Sequence, residues 1–147
     1  MIKLIQKFTD QKIIDLTNVV KIGREFYLVD PELKKVFKKI NKQAAYIGTF
    51  LGQNEKPSLY LLDLLAKHAK KKVIVTKKGE WLFICKRDLF TKGVKEAEGD
   101  PQINDFVLIM NQDNECLGYG QMIAELTARR TVVKRMFDIG DFLRREK

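Results

Sequence analysis

Cysteine, histidine and proline are scarce in this sequence of 147 residues, which contains two cysteines, one histidine and three prolines. Structural zinc normally takes four ligands, and one histidine with the widely separated Cys85 and Cys116 cannot supply them. Each cysteine lies in a short apolar run, where a thiol usually behaves as a small hydrophobic side chain. We therefore expect no metal site, no cofactor and no disulfide bond.

Long apolar runs are absent as well. No stretch approaches the roughly 18 consecutive apolar residues of a membrane-spanning helix, and the N-terminal segment MIKLIQKFTDQK lacks the apolar core and cleavage site of a signal peptide. Low-complexity sequence is also lacking, and 45% apolar with 32% charged residues is enough for a folded core. We expect a soluble protein without a membrane partner, in the cytoplasm, or in the nucleolus if the chain is eukaryotic.

Motifs that would indicate catalysis are missing too. The sequence has no phosphate-binding loop of the G-x-x-x-x-G-K-[ST] type. Gly118-Tyr119-Gly120 begins like a dinucleotide-binding motif, but Ile123 occupies the position of its third glycine. The single histidine, His68, lies in a leucine-rich segment with no identifiable nucleophile beside it. We predict that the protein is not an enzyme.

In the first half of the chain, apolar periodicity predicts both helices and strands. Asp30-Pro31 followed by an apolar stripe predicts an amphipathic helix over residues 31–43 with lysines on its outer face. The stripe consists of Leu33, Val36, Phe37 and Ile40. The segment SLYLLDLLAKHA predicts a buried helix that ends near His68. Short β-branched and aromatic runs predict strands at KIIDL, VVKI, EFYLV and AAYIGTFLG.

From Lys71 the pattern becomes mostly that of β-structure. Lys77-Lys78-Gly79 is interpreted as a hairpin turn, DFVLIMN and ECLGYGQMIAE as a hairpin, and TVVKRMF as the last strand. The change of pattern places a boundary near residues 69–72, between an N-terminal half, residues 1–70, and a C-terminal half, residues 71–147. Because no linker sequence marks this boundary, we expect the halves to pack together.

The charge of the chain is positive and unevenly distributed. Lysine and arginine number 28 against 19 acids, a net charge of +9 that favours polyanionic partners, nucleic acid above all. Residues 67–95 hold one basic segment and residues 129–135 a second, whereas residues 96–128 contain acids but no lysine or arginine. Two separate basic segments of this kind predict one phosphate-binding patch in the folded chain.

Three segments of the C-terminal half resemble the signatures of PUA domains, which are named for pseudouridine synthases and archaeosine transglycosylases. ICKRDLFTKGVKE resembles the first signature, in which a short helix leads to a turn ending in Gly93-Val94. DFVLIMNQDNECLGYGQMI resembles the second, and TVVKRMFDIGDFL the closing strand. In the first half, VDPELKKVFKKINKQAAYIGTFLG followed by LYLLDLLAKHAKKKVIV is similar to the Nip-type biogenesis proteins of the large ribosomal subunit, in their archaeal-like form.

The resemblance implies an α+β fold, with a small N-terminal α/β domain of antiparallel strands and helices packed on a PUA-type β pseudo-barrel. It further implies a non-catalytic, RNA-binding role in ribosome biogenesis, with precursor rRNA and uridine-rich single strands as ligands. Large-subunit assembly factors and the RNA exosome are the implied protein partners, and we expect a monomer.

In PUA domains RNA lies across the first short helix, the glycine turn and the last strand, and both basic segments match these places. The candidate RNA-binding residues are Arg129, Arg130, Lys134, Arg135, Lys92, Lys86 and Arg87. Because alternate residues of a strand face opposite sides, Lys134 and Arg135 face RNA together only if the strand is bulged or they lie near its end. Phe90 and Tyr119 are either stacking residues or core residues.

Two other functions fit the same sequence. One is that of the RNA-targeting subunit of a modification complex in which a partner carries out catalysis. Alternatively, the protein is a protein-interaction adaptor whose basic surface meets an acidic partner. A co-purifying modification enzyme would favour the first, and binding that persists after nuclease treatment would favour the second.

Overall fold

The structure, a computed structural model, describes residues 1–40 and 47–145 and contains helices and strands in both halves of the chain. The helices are α1 Ile2–Gln6, α2 Pro31–Lys39, α3 Leu59–His68, α4 Lys77–Ile84 and α5 Gly140–Arg145. The strands are β1 Val19–Ile22, β2 Glu25–Leu28, β3 Thr49–Gln53, β4 Lys56–Pro57, β5 Lys72–Val75, β6 Leu89–Phe90, β7 Val94–Glu98, β8 Phe106–Met110, β9 Cys116–Met122 and β10 Thr131–Asp138.

These strands form two separate sheets. The N-terminal sheet is an antiparallel meander in the order β1-β2-β3-β4. The second sheet has the order β6-β10-β9-β8-β5-β7, and it is antiparallel except for the β5–β8 pair. Its six strands curl into a half-barrel, so the expected α+β fold with a PUA-type barrel is confirmed.

The central strands of the barrel are buried on both faces, which explains their uninterrupted apolar sequences. Alternate residues point into the barrel, where Val73, Val107 and Ile109 pack in one apolar cluster. Their neighbours on the opposite face, including Leu108 and Tyr119, pack against α1 and α3 of the N-terminal half in a second cluster. One apolar core therefore joins the two halves.

Tyr119 contacts residues of the N-terminal half across this shared core. Its ring lies edge-on to the ring of Phe8, with 5.4 Å between the ring centroids. Its hydroxyl donates a hydrogen bond of 2.8 Å to the carbonyl oxygen of Glu55 in the N-terminal half. Burial raises the pKa of this phenol above its ordinary value, because the charged form would lose its hydration. Tyr119 is thus a core residue and offers no exposed ring.

The prediction of a strand at residues 12–16 is wrong. Asp15 instead caps a 3-10 turn at Leu16–Asn18, and its Oδ1 accepts hydrogen bonds of 3.1 Å from the Thr17 amide and 2.8 Å from the Thr17 hydroxyl. An aspartate that satisfies nearby donors in this way favours a turn over a ladder of strand hydrogen bonds.

The interpretation of Lys77-Lys78-Gly79 as a hairpin turn is also wrong, because these residues begin helix α4. Thr76 is the N-cap, and its hydroxyl oxygen accepts a hydrogen bond of 3.1 Å from the Gly79 amide. The short helix that the PUA resemblance implied therefore begins earlier than the signature sequence, at Lys77.

Helix α2 begins where the sequence predicts and leaves most of its apolar stripe uncovered. Asp30 caps it by accepting a hydrogen bond of 2.9 Å from the Leu33 amide, and the helix ends at Lys39, while residues 41–43 of the predicted span lie outside the described residues. Phe37 is buried, but Leu33, Val36 and Ile40 are exposed, Val36 at 51%. An amphipathic helix usually packs its apolar stripe against the core, and of this stripe only Phe37 does so.

Within the described residues, no helix combines the length and the apolar character that crossing a membrane would require.

Candidate nucleic-acid interface

Cations from both basic segments of the sequence lie close to the paired strands β6 and β10. These strands pair antiparallel, with Thr131 opposite Phe90 and Val133 opposite Leu89. Lys86 and Arg87 precede β6, and Lys92 follows it in a 3-10 turn at Thr91–Gly93. The strand pairing thus brings residues that are more than 30 positions apart in the sequence onto one edge of the barrel.

Hydrogen bonds of Thr91 connect the loop before β10 with the turn that contains Lys92. Its amide donates a hydrogen bond of 3.1 Å to the carbonyl oxygen of Arg130. Its hydroxyl lies 2.9 Å from the same oxygen and also contacts the carbonyl oxygen of Ala128. These contacts place Arg129 and Arg130 beside Lys92, with their side chains exposed.

Lys134 and Arg135 of β10 have different surroundings. Lys134 is exposed, whereas the guanidinium of Arg135 lies 2.8 Å from the carboxylate of Asp138, which is fully buried. The strand is bulged between Arg135 and Phe137, and the Arg135 amide donates a hydrogen bond of 2.8 Å to Asp88. The bulge does not make Arg135 available to RNA, because the guanidinium of Arg135 is paired with Asp138.

Arg144 completes a network at the end of the barrel. It contacts Asp138 at 3.1 Å and Asp141 at 2.7 Å, and it donates a hydrogen bond to the carbonyl oxygen of Ile84 at the end of α4. Its hydrogen bond holds the pKa of Asp141 below the ordinary value. Lys86 lies 3.7 Å from Asp141 and so belongs in part to this network.

We define the basic face as the exposed candidate RNA-binding residues other than Lys86 and Arg135. Its members are Arg87, Lys92, Arg129, Arg130 and Lys134. Among the residues that the structure describes, none of these five has an acidic partner. Their charges are therefore directed to solvent and available to phosphate.

A groove lies beside the basic face, between helix α4 and the Thr91–Gly93 turn. The two backbones meet at Gly79 and Gly93, where a methyl group added to Gly79 would lie 2.3 Å from the Gly93 carbonyl oxygen. The groove has a volume of about 210 Å³. Its lining consists of Lys78, Gly79, Leu82, Asp88, Leu89, Phe90, Lys92 and Gly93.

One aromatic side chain of the groove and one of helix α4 are more exposed than apolar residues usually are. Phe90, which lines the groove, is 48% exposed, and Trp81 on α4 is 65% exposed. Sequence reasoning left Phe90 undecided and missed Trp81, because α4 was interpreted as a hairpin turn. Thr76 four residues before Glu80 was the local signal for the helix, since threonine is a common N-cap.

Across residues 1–40 and 47–145, no group of three or more histidine, cysteine, aspartate or glutamate side chains is placed to hold a metal ion. His68 is at the end of α3, with its Nδ1 3.1 Å from Gln11 Oε1. Cys116 is buried, and burial raises the pKa of its thiol to about 12. Cys85 is exposed at the end of α4.

Residues 71–147, which are slightly more than half of the chain, match the family described as the UPF0113 PUA domain. This chain belongs to that family. A UPF0113 protein from Archaeoglobus fulgidus is 27% identical over 140 residues, which cover 88% of this chain and 79% of that protein. The PUA signatures of the sequence are therefore confirmed.

Solved structures show the same fold. A hypothetical protein from the hyperthermophilic archaeon Pyrococcus horikoshii matches with a TM-score of 0.54 at 15% identity, covering 96% of this chain and 90% of that one. A PUA domain from Aeropyrum pernix, crystallised as a tartrate complex, matches with a TM-score of 0.52 at 22% identity. That match covers 59% of this chain and 53% of the other, so this chain spans about half of that structure's length.

Proposed function

We propose that this PUA-domain protein binds RNA through the basic face. The observation that carries the proposal is the Thr91 contact, which holds Arg129 and Arg130 beside Lys92. Cations from two distant segments thereby form one surface, and among the described residues no acid pairs with the members of the basic face. RNA has a regular array of phosphates that such a surface can neutralise.

Two acids of residues 96–128 pair with lysines that are not members of the basic face. Asp113 in the β8–β9 turn pairs with Lys77, and Asp105 before β8 pairs with Lys71. A cationic surface whose own charges are unpaired attracts a polyanion from solution and orients it before contact.

Fluorescence anisotropy with a labelled single-stranded RNA across a salt series tests the proposal. We expect the triple variant Arg129→Ala, Arg130→Ala, Lys134→Ala to bind more weakly and to show a shallower dependence on salt. Each lost phosphate contact lowers the slope of log K against log salt by about 0.7 for a single strand, so three contacts remove about two units.

The matched control is Lys3→Ala, Arg24→Ala, Lys67→Ala, which removes the same charge from exposed positions of the N-terminal half. This variant should keep the wild-type slope. If both triple variants lose affinity equally, net charge rather than the basic face determines binding. If neither loses affinity, RNA does not bind at these residues.

We further propose that the protein binds without catalysing a reaction. Two features of the residues that could act as nucleophile and base support this. The Cys116 thiol is buried and its pKa is raised, which disfavours the reactive thiolate, and His68 lies 3.1 Å from the neutral side chain of Gln11. Incubation of bound RNA with the protein should leave the RNA unmodified when nucleoside composition is measured by mass spectrometry.

The resemblance to Nip-type proteins supports a finer proposal, that the bound RNA is precursor rRNA of the large ribosomal subunit. This work would take place in the cytoplasm of an archaeal cell, beside large-subunit assembly factors and the RNA exosome. Crosslinking and sequencing of RNA bound in cells tests it, with the basic-face triple variant as control. Enrichment of large-subunit precursors with wild type alone is the expected result.

The uncovered stripe of α2 favours a second candidate role, contact with a protein. Leu33, Val36 and Ile40 are exposed on one helix whose other residues include Lys38 and Lys39. An apolar stripe bordered by lysines is complementary to an acidic amphipathic segment. We propose that the stripe binds such a segment of a partner protein.

Affinity capture from nuclease-treated extract tests this role with Val36→Asp as the variant. A partner that depends on the stripe is retained by wild type and by the basic-face variant but lost with Val36→Asp. A synthetic peptide of its acidic segment should then compete with it. Retention by the Val36→Asp variant would place the contact elsewhere.

A further inference from the structure

We propose that a cleft between two loops of the C-terminal half binds a cationic peptide segment of a partner protein, in which lysine or arginine stands next to an apolar residue. One loop joins β7 to β8 and the other joins β9 to β10. The lining consists of Asp100, Pro101, Gln102, Ile103, Glu125, Leu126 and Thr127. None of these residues belongs to the basic face or to the groove beside α4, so the cleft is a separate site.

The cleft is large, and backbone hydrogen bonds connect its two loops. Its volume is about 540 Å³, within the range of about 300 to 1,000 Å³ that is usual for ligand-binding pockets. The Asn104 amide donates a hydrogen bond of 2.8 Å to the Met122 carbonyl oxygen, and the Met122 amide donates one of 2.8 Å to the Asp105 carbonyl oxygen. The Asp105 carboxylate also accepts a hydrogen bond of 2.7 Å from the Gln102 amide. These bonds fix the spacing of the loops, so the cleft is preformed.

The fold leaves apolar surface in the cleft uncovered. Ile103 is 48% exposed, and Leu126 is half-buried. A partner that covers these side chains removes apolar surface from water, which stabilises the complex. Lysine and arginine also have long aliphatic stems, which lie along apolar surface while the charged ends stay hydrated. An apolar side chain of the partner and the stems of its cations both suit this surface.

The charged side chains of the cleft are negative and unpaired. Asp100 and Glu125 are both exposed, and they line the cleft from different loops. Among the described residues neither of them makes an ion pair, and no lysine or arginine lines the cleft. Carboxylates accept strong hydrogen bonds from lysine and arginine. A cationic partner is therefore complementary to the cleft, whereas a phosphate would be repelled from it.

The charge of the whole chain makes this site selective. With a net charge of +9 the protein as a whole repels a cationic peptide, so such a peptide binds only where acids predominate locally. The cleft lies within residues 96–128, which contain acids but no lysine or arginine. Most of its lining residues are exposed, so the cleft is open. A small polyamine would be covered on one side only, whereas a peptide places cations and an apolar side chain in the cleft together.

The cleft and the basic face share the β9–β10 loop. Thr127 lines the cleft, and the carbonyl oxygen of the next residue, Ala128, contacts the Thr91 hydroxyl. Arg129 and Arg130 follow directly. A partner in the cleft would therefore contact the same loop as RNA on the basic face. The inference adds a protein-binding site to the proposed function and does not depend on it.

Fluorescence anisotropy of a short labelled peptide of alternating lysine and leucine, titrated with the full chain in the absence of RNA, tests the inference. A peptide with serine in place of leucine, and spermine as a competitor, are the comparison ligands. We expect the lysine–leucine peptide to bind and its affinity to fall as salt increases. The serine peptide and spermine should bind at least about fivefold more weakly, because they lack apolar side chains.

Two variants separate the charged and apolar contributions. Asp100→Asn combined with Glu125→Gln should weaken binding of the lysine–leucine peptide about tenfold and flatten its salt dependence. Ile103→Ser should weaken binding about fivefold at every salt concentration and keep the salt dependence. The matched control is Asp63→Asn combined with Glu96→Gln, which removes the same charge from exposed residues outside the cleft. It should bind as wild type does.

Four outcomes would overturn the inference. Equal losses in the cleft and control variants would show that net charge determines binding, and absence of peptide binding at low salt would exclude the site. Spermine that binds as tightly as the peptide would assign the cleft to a polyamine. Self-association of wild type in light scattering that disappears in the cleft variant would assign it to a second copy of the chain. None of these outcomes bears on the basic face, because the assays contain no RNA.

Discussion

Substitution of Gly79 by alanine tests the contact that shapes the groove. Gly79 lies in helix α4, where alanine is intrinsically preferred to glycine by about 1 kcal/mol. The added methyl group would lie 2.3 Å from the Gly93 carbonyl oxygen and 3.0 Å from its Cα. Both neighbours are backbone atoms, so α4 or the Thr91–Gly93 turn must move by about 1 Å to reach an ordinary contact distance.

The size of the effect follows from what that movement disturbs. The Gly93 carbonyl oxygen also accepts a hydrogen bond of 2.9 Å from the Thr76 amide, and weakening it costs about 1 kcal/mol. Overpacking of a close contact costs about 1 to 3 kcal/mol. After subtraction of the helix preference, we expect Gly79→Ala to lower the free energy of unfolding by about 2 kcal/mol.

Urea denaturation followed by circular dichroism measures this change, and thermal unfolding should shift down by about 4 to 8 °C, since 1 kcal/mol corresponds to about 2 to 4 °C in a chain of this size. Cys85→Ala, an exposed change at the end of the same helix, is the control and should stay within about 0.5 kcal/mol of wild type. A Gly79→Ala protein as stable as wild type, or more stable, would show that the close contact does not constrain α4.

Three further predictions concern the network at the end of the barrel. Asp138→Asn leaves Arg135 and Arg144 without their buried counter-charge and should lower the free energy of unfolding by about 3 kcal/mol in urea; a loss below 1 kcal/mol would mean that both arginines reach solvent freely. Lys86 follows α4 with a positive φ of 67°, a conformation that glycine adopts without strain, so Lys86→Gly should raise stability by about 0.5 to 1 kcal/mol despite the loss of the Asp141 contact. The pKa of Asp141 is lower in the folded state than its ordinary value. The ionised Asp141 therefore stabilises the fold fully above the ordinary aspartate pKa of about 4, and this stabilisation is lost as pH falls through the folded-state pKa. The stability difference between wild type and Asp141→Asn should shrink below about pH 4, and a difference that is constant with pH would contradict this.

Several elements follow from local sequence because their causes are local. Asp30-Pro31 fixes the start of α2, since an N-cap and a proline at the first helical position act through neighbouring atoms. The leucine pattern of Leu59–His68 predicts α3 for the same reason. Charge segregation is also a sequence property, and the two basic segments could be identified before the strands that unite them.

Other features depend on contacts between distant residues and could not be predicted. The close packing of Gly79 against Gly93 joins residues that no local pattern relates, although the start of α4 itself had a local signal in Thr76. Arg135 is indistinguishable from Lys134 in the sequence, and only the buried Asp138 separates their roles.

From the sequence alone, resemblance to the PUA signatures implied the fold. The net charge and the basic segments are also fixed by the sequence, because composition and charge distribution are properties of the residues themselves. The tertiary structure decided which side chains are available. Phe90 and Trp81 are exposed while Tyr119 is buried, and aromatic residues of the same chemistry differ here only in what packs against them. That packing is determined by the pairing of β6 with β10 and by the apolar core shared between the two halves. No local sequence pattern specifies either contact.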